Sequence, residues 1–558
     1  MTLKNVSLGG LFVFIAIAIL NPNPFGNNPD IIWDESYFLT SSLAALEHHT
    51  LPGWDFPVSG TYYGGPQTYI DTAIMVPVLG AVVASSHFSL TAAKGWVALH
   101  TGELLHILRI VNGVAALLAI LFVFLYLKRW GAPRELGLTL ALFLFLLLSN
   151  VLVIEFLHTA KMWVFYIILV GVTSAFFIVQ EYYAAHRMEP FFSKKTYVAT
   201  LVWSAVLTFF QSYFGVFSIG LLILYALILR HISMWDIVSY IRKYWYLIVA
   251  FALTQISFLY QAYRISAALA DASTRLADGS IDWWARLTKP LLYTIQSQPL
   301  SILYVAGLLA LLFLAVYRRS FFTDARKRAF IIIAAAHPIL TYVIFQVGLG
   351  FDILPRYAIM LSIACCFSVA ILMGALGRRF ALAALALSGL LFVVVGLHAI
   401  ALYWQPSSET VLRQTIEAQY NTPTNIFITD HSARRMTLPV NDDSLMLLDE
   451  KRQAMNRFAF LLQHHDLVPE SDFKAITYTA YADEAQAADI ERFATGANSV
   501  WVITRECTHL CSEDESRAGT CFAINTNACG IEPQEVNTLR VFLSSTQLGY
   551  SYVVRKVH

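Results

Sequence analysis

Residues Phe380–Thr415 read FALAALALSGLLFVVVGLHAIALYWQPSSETVLRQT. Up to Trp404 this stretch holds no Asp, Glu, Lys or Arg; from Gln405 onward charged and turn-forming residues return. A helix needs about 20 apolar residues to cross a hydrocarbon core, and the run before Gln405 supplies them. Apolar runs with short polar breaks fill the chain before this point, and none follow it. The chain therefore divides into residues 1–404, a membrane domain, and 405–558, a soluble C-terminal domain long enough for its own core.

Composition agrees. Of 558 residues, 57% are hydrophobic and 13% charged, and the mean hydropathy is +0.59. Soluble domains carry about 25% charged residues, so too few ionised groups are present to cover a soluble surface. That excludes an ordinary cytosolic enzyme, a disordered chain and a collagen-like fibre. The formal net charge of +1 is too balanced for a nucleic-acid binder that works by counterion release. The C-terminal part differs again, with 13 Lys/Arg and 20 Asp/Glu.

The spacing predicts a polytopic α-helical protein with about 11 spans, near residues 7–21, 106–127, 136–154, 162–180, 196–211, 214–230, 246–264, 298–317, 329–348, 357–376 and 380–403. The run 72–89 decides the parity. If it does not cross, one set of loops holds 17 basic residues and the opposite set eight. By the positive-inside rule the N-terminus is then cytoplasmic, 72–89 lies at the outer interface or dips in, and 405–558 is extracytoplasmic. A cleaved signal peptide at the first run is a rival reading; loop 22–105 is external under both.

The C-terminal part carries strand-like runs at 425–429, 475–480, 499–504 and 551–556, and helical stretches near 444–464 and 484–495 alternate with the first three, which suggests a small α/β domain. Cys507, Cys511, Cys521 and Cys529 cluster in segment 506–530. In an oxidising compartment they favour two disulfides of open connectivity, with a structural zinc site as the rival. Cys365 and Cys366 sit in an apolar span and read as core.

Candidate chemistry lies at the external span ends and in loop 22–105, the longest of the membrane domain. Asp34 and Glu35 precede a helical stretch, Ser36–Glu47. One carboxylate there serves as a helix cap; two suit a general base and its orienting partner. Glu155, His158 and Lys161 share a broad helical face, either as a polar span end with a snorkelling lysine or as a second charged cluster. Arg356 opens the tenth span beside Pro355, where it either snorkels or grips phosphate. Glu47, His48 and His49 make a poor metal set, because adjacent histidines point apart. No phosphate-binding loop, H-E-x-x-H or G-x-S-x-G occurs.

In this order the motifs resemble the GT-C superfamily of polyprenyl-phosphate-dependent glycosyltransferases, which includes the protein O-mannosyltransferases and the lipid A aminoarabinose transferase. Asp34-Glu35-Ser36-Tyr37 resembles the acidic motif of the first external loop. Tyr63-Gly64-Gly65-Pro66-Gln67-Thr68-Tyr69 resembles the stretch that opens an interfacial helix. Arg109 and the span after it, Glu155 to Trp163, and Arg356-Tyr357 resemble later motifs. Gly64-Gly65-Pro66 departs from the usual double proline, and Lys161 stands where arginine is commoner.

The resemblance implies inverting transfer of a sugar from a polyprenyl-phosphate donor in the bilayer to an acceptor at the extracytoplasmic face, whether protein, lipid or glycan. Asp34 and Glu35, with Glu155, would be catalytic. Arg356, Lys161, Tyr357 and Arg109 would hold the lipid phosphate. Tyr37, Tyr63, Gln67, Tyr69 and His158 would line the pocket. No metal ligands are assigned, and a divalent metal stays open as a cofactor. The rivals are a secondary transporter, which would place ionisable groups at the bilayer midplane, and a non-catalytic relative that serves as an assembly scaffold.

Overall fold

The computed structural model describes residues 65–129, 134–157, 163–189, 192–211, 213–230, 234–246, 283–317, 323–348 and 357–405. It adds short helical pieces at 38–39, 41–47, 249–250, 252–253, 411–412 and 414–415, single positions at 49, 408 and 526, and in the C-terminal part 424–429, 476–481, 500–504, 511–524 and 551–556. The expected spans 7–21 and most of 246–264 lie outside the described residues, as do the expected helices near 444–464 and 484–495.

The helices are α1 Gly65–Ser85, α2 Leu90–Leu99, α3 Thr101–Arg129, α4 Arg134–Leu148, α5 Val151–Leu157, α6 Trp163–Ala185, α7 Lys194–Gln211, α8 Tyr213–Arg230, α9 Met234–Lys243, α10 Trp283–Ser297, α11 Ile302–Tyr317, α12 Ala325–Tyr342, α13 Ala358–Leu376, α14 Arg378–Leu391 and α15 Leu397–Trp404. Among the described residues, six helical stretches are long and apolar enough to cross a membrane. They become seven if the bent pair α4 and α5 is one span. One of the six is Gln67–Ser85 in α1. Length and composition thus place α1 with the spanning candidates, and the interfacial reading of 72–89 rests on charge bias alone.

Helix α13 is the axis of the bundle. Every residue from Ala358 to Met373 is buried, and α4, α6, α10, α11, α12 and α14 all pack on it. Close approach to α4 needs a missing side chain: a Cβ on Gly374 would stand 2.6 Å from Thr139 Oγ1. The turn into α14 uses Gly377 at φ +124°, a conformation open to glycine and strained for other residues. In α12, Pro338 lacks the amide hydrogen and crowds the carbonyls of the preceding turn. Tyr304 of α11 donates its hydroxyl to one of these, Ala335 O, and the helix runs on into a π-helical turn at Val343–Gly348.

The span expected at 136–154 is broken. Helices α4 and α5 meet at 72° across Ser149-Asn150. A break inside a bundle frees backbone groups that need partners, and side chains provide them. Asn150 Oδ1 accepts from Leu152 N at 3.0 Å and Val153 N at 3.4 Å, which caps α5. Gln298 Nε2 donates to Leu146 O and, at 2.9 Å, to Ser149 Oγ. Gln298 lies at a second break, between α10 and α11, where its Oε1 accepts from Leu300 N at 3.3 Å. Ser362 of α13 ties the two breaks, receiving Asn150 Nδ2 at 2.6 Å and lying 3.4 Å from Ser297 Oγ.

The C-terminal part holds a five-stranded sheet, β1 Thr424–Thr429, β2 Ile476–Tyr481, β3 Val500–Thr504, β4 Cys521–Ile524 and β5 Tyr552–Lys556, in the order β2-β1-β3-β5-β4. The four expected strands are present, shifted by a residue at most at either end. The first three pair in parallel, and β5 pairs antiparallel with β3 and β4. Parallel neighbours require crossover connections of a dozen or more residues, which 430–475 and 482–499 supply. Strand β4 goes beyond the sequence expectation. It forms inside the cysteine-rich segment, just after α16, Glu513–Arg517, which a capping box of Ser512 and Glu515 starts. Cys521, at the head of β4, is bonded to Cys511; Cys507 and Cys529 lie outside the described residues.

Candidate functional site

The two ends of the bundle carry different chemistry. At one end, the C-termini of α6 and α8 meet the N-termini of α7 and α12. Glu181 of α6 and Arg230 of α8 form a buried ion pair, Nε to Oε1 3.3 Å. Arg230 also donates to Gln180 O at 3.2 Å and lies 5.3 Å over the Tyr197 ring of α7. Gln180 closes the α6–α7 connection by bonding both the N–H and the C=O of Phe192, each at 3.1 Å. Arg187 reaches Asp324, the N-cap of α12, at 4.0 Å. Arg187, Arg230 and the basic start of α12, which the positive-inside count assigned to one set of loops, thus gather at one end.

The other end is aromatic and acidic. The bend at Asn150 turns α5 so that Phe156 stacks on Trp163, with centroids 5.5 Å apart. Trp163 opens α6 and also meets Tyr166 at 5.7 Å and Tyr357, at the head of α13, at 6.2 Å. Tyr166 in turn shares a 2.9 Å hydrogen bond with Ser218 of α8. Glu155, next to Phe156 on α5, is fully buried. Of the expected site residues, Tyr357 joins this aromatic cluster directly, and Glu155 stands beside its member Phe156 on α5.

Three more lie on a second set of helices. Gln67 and Tyr69 are in the first turns of α1, and Arg109 is buried in α3. Helix α3 packs on both α1 and α5. Gln67 is fully buried and donates to Asp71 Oδ1 at 2.9 Å. Asp34, Glu35, Tyr37, Tyr63, His158, Lys161 and Arg356 lie outside the described residues. Helix is present at 41–47, within the stretch expected to follow the acidic pair. Its Glu47 is engaged by Lys94 of α2 at 2.6 Å, and Ser42 Oγ donates to Thr68 O at 3.3 Å. These contacts fasten the helix to α1 and α2.

Sequence reasoning passed over Asp71, Asn112, Asn150, Glu181 and Gln298, all essentially unexposed. A signal was available: each is a strongly polar residue inside or at the end of an apolar run, where burial needs a partner or a role. The amide of Asn112, one turn beyond Arg109 on α3, makes no hydrogen bond among the described residues. Among those residues, no group of three or more His, Cys, Asp and Glu is arranged to hold a metal. Cys365 and Cys366 are free and buried.

A cavity of about 60 Å³ lies beside the bend, between Leu147, Val153, Leu157, Ile168 and Gly171. Its lining is apolar, so it lacks the polar groups that orient a sugar. No known family, curated protein or solved structure matches this chain, so the GT-C resemblance stands on the motifs alone.

Proposed function

We propose that the chain is a polytopic membrane glycosyltransferase that moves a sugar from a polyprenyl-phosphate donor to an acceptor on the extracytoplasmic face. The observation that supports this reading is the meeting of Phe156, the neighbour of Glu155 on α5, and Tyr357 at Trp163, at the end of the bundle away from the Glu181–Arg230 pair. The positive-inside rule makes the basic end cytoplasmic and the aromatic end external, where a lipid-linked sugar is available. In the proposed reaction Asp34 takes the acceptor proton, with Glu35 orienting it. The acceptor oxygen bonds the anomeric carbon with inversion as the bond to the lipid phosphate breaks. The phosphate leaves with the electron pair, and Arg356 and Lys161 meet its charge.

The transporter reading draws on one observation, the two broken helices packed on Ser362, since transporters bind at such breaks. Here Asn150 and Gln298 spend their amides on backbone and serine partners, which makes the node a brace and favours the enzyme. The test is transfer of radiolabelled sugar from a polyprenyl-phosphate donor by the purified protein. Asp34→Asn should lower transfer by about 10²–10⁴, and Arg356→Ala should raise donor KM about tenfold or more, with Arg356→Lys recovering part. Full activity in Asp34→Asn overturns the catalytic assignment, and no transfer by the wild-type protein favours the scaffold or transporter.

A further inference from the structure

Helix α9 follows α8 after three residues and packs only lightly on the bundle, touching α7. Tyr244, just past its end, meets Trp203 of α7 edge to face at 6.0 Å. Its outer side is apolar and open: Trp235 is 80% exposed, Val238 and Ile241 are exposed too, and Trp245, just past the turn at Tyr244, is 61% exposed. At 100° per residue Trp235, Val238 and Ile241 fall in one arc. Asp236, Ser239 and Lys243 lie on the other side of the helix, and Arg242 stands toward one margin of the apolar arc. Such a strip cannot remain in water as a soluble face.

We infer that α9 is a membrane-surface helix. Its Trp235–Val238–Ile241 strip sinks into the boundary between headgroups and acyl chains of an anionic leaflet, with Trp245 just beyond the helix end beside it, while Arg242 and Lys243 reach the phosphates. The inference rests on the membrane placement proposed above. Three features favour lipid over a protein partner. Helix α9 starts four residues after Arg230, whose pairing with Glu181 marks the basic end of the bundle, so α9 lies at the level of that end. Tryptophan and tyrosine concentrate at membrane interfaces, and Trp235, Tyr244, Trp245 and Tyr246 all fall within this segment. Adjacent basic residues on an amphipathic helix complement anionic headgroups, and α7, the helix it touches, begins with Lys194 and Lys195.

The test uses full-length protein in nanodiscs of phosphatidylcholine, with and without phosphatidylglycerol. Val238→Cys, Ser239→Cys and Leu309→Cys are each labelled with an environment-sensitive fluorophore, and the unsubstituted protein gives the background. Lipids carry a nitroxide either near the headgroup or near the chain end. The headgroup-side nitroxide should quench Val238 about twofold or more over Ser239, as expected for an interfacial apolar face. The difference should grow with phosphatidylglycerol and shrink when Arg242→Glu and Lys243→Glu are combined. Leu309, exposed on α11, should be quenched from the chain end. If Leu309 is quenched and Val238 is not, the surface helix is wrong and the strip is left for a protein partner. Chain-end quenching of Val238 would place α9 inside a span and also overturn it. Leu309 unquenched by either lipid would instead remove the membrane placement itself.

Discussion

Helices α13 and α11 are almost equally apolar, yet 83% of the first is buried and 22% of the second. Helix α13 is wrapped by six neighbours; α11 presents Ile302, Val305, Leu309, Leu312, Phe313 and Val316 outward. In water that stripe would be an aggregation site; in the membrane placement proposed above, lipid covers it. Hydropathy in this chain therefore measures compatibility with an apolar solvent and says little about which helices are central. What separates the two is composition within the apolar class. Helix α13 carries Ser362, Cys365, Cys366, Ser368 and Gly374, small or weakly polar residues that let helices approach closely. Helix α11 is built on leucine.

The largest effect should come from a protein-wrapped helix. In α6, whose span is 78% buried, Glu181→Ala leaves Arg230 charged, buried and without its carboxylate. Breaking such a pair costs about 3–5 kcal/mol, so the detergent-solubilised protein should unfold well below the wild type on heating. Removing both charges, with Glu181→Gln and Arg230→Met, should recover much of that loss. A double variant as unstable as the single one would show that the charges are needed as a pair.

On α11, Leu309→Lys separates lipid from water as the neighbour. A lysine at the centre of a span costs about 2.5–3.5 kcal/mol, which should appear as a falling inserted fraction in a glycosylation-mapping assay. The control is Ser239→Lys on the polar side of α9, where the side chain is already exposed; that variant should insert normally. Equal insertion of Leu309→Lys and wild type would mean that the stripe does not face lipid.

Apolar runs make most of the helical segments legible, because length and polar breaks suffice to mark them. The bend at Asn150 is not legible, since 136–154 reads as one continuous run and the break depends on Gln298 and Ser362 from far along the chain. The strands β1, β2, β3 and β5 are legible from alternation and β-branched residues, but β4 is hidden by the cysteines around it. At the site, Glu155 and Tyr357 stand out by their positions at span ends. Asp71 and Asn112 do not, because single polar residues in an apolar run carry no motif, and only burial shows that they matter.

A finer contrast compares two glycines. Gly374→Ala on α13 would press its Cβ to within 2.6 Å of Thr139 Oγ1, whereas Gly389→Ala on α14 meets nothing within 4 Å. Overpacking costs about 1–3 kcal/mol, while replacing an unhindered helical glycine by alanine gains up to about 1 kcal/mol. The two substitutions should therefore move the melting temperature in opposite directions. A loss at both positions would show that α14 packs against something the bundle itself does not supply.

The smallest effect concerns the start of α12. Arg326, Lys327 and Arg328 occupy its first turn, where the helix dipole disfavours positive charge; in the proposed orientation they serve the positive-inside bias rather than helix stability. Asp324 offsets the conflict. Its Oδ1 accepts from Lys327 N at 3.0 Å and Arg326 N at 2.9 Å, and these backbone hydrogen bonds hold its carboxyl below the ordinary carboxylate range, with Arg187 adding to the shift. A carboxyl whose folded pKa is depressed adds stability above its unfolded pKa, about 3.9, and loses it as pH falls through the lower folded value. Asp324→Asn keeps a capping side chain but not the charge. Near neutral pH the wild type should therefore melt slightly above the variant. The gap should close on acidification, as the carboxyl takes up its proton. A gap that persists below that range would mean that the amide caps α12 poorly, and that geometry rather than charge distinguishes the two proteins.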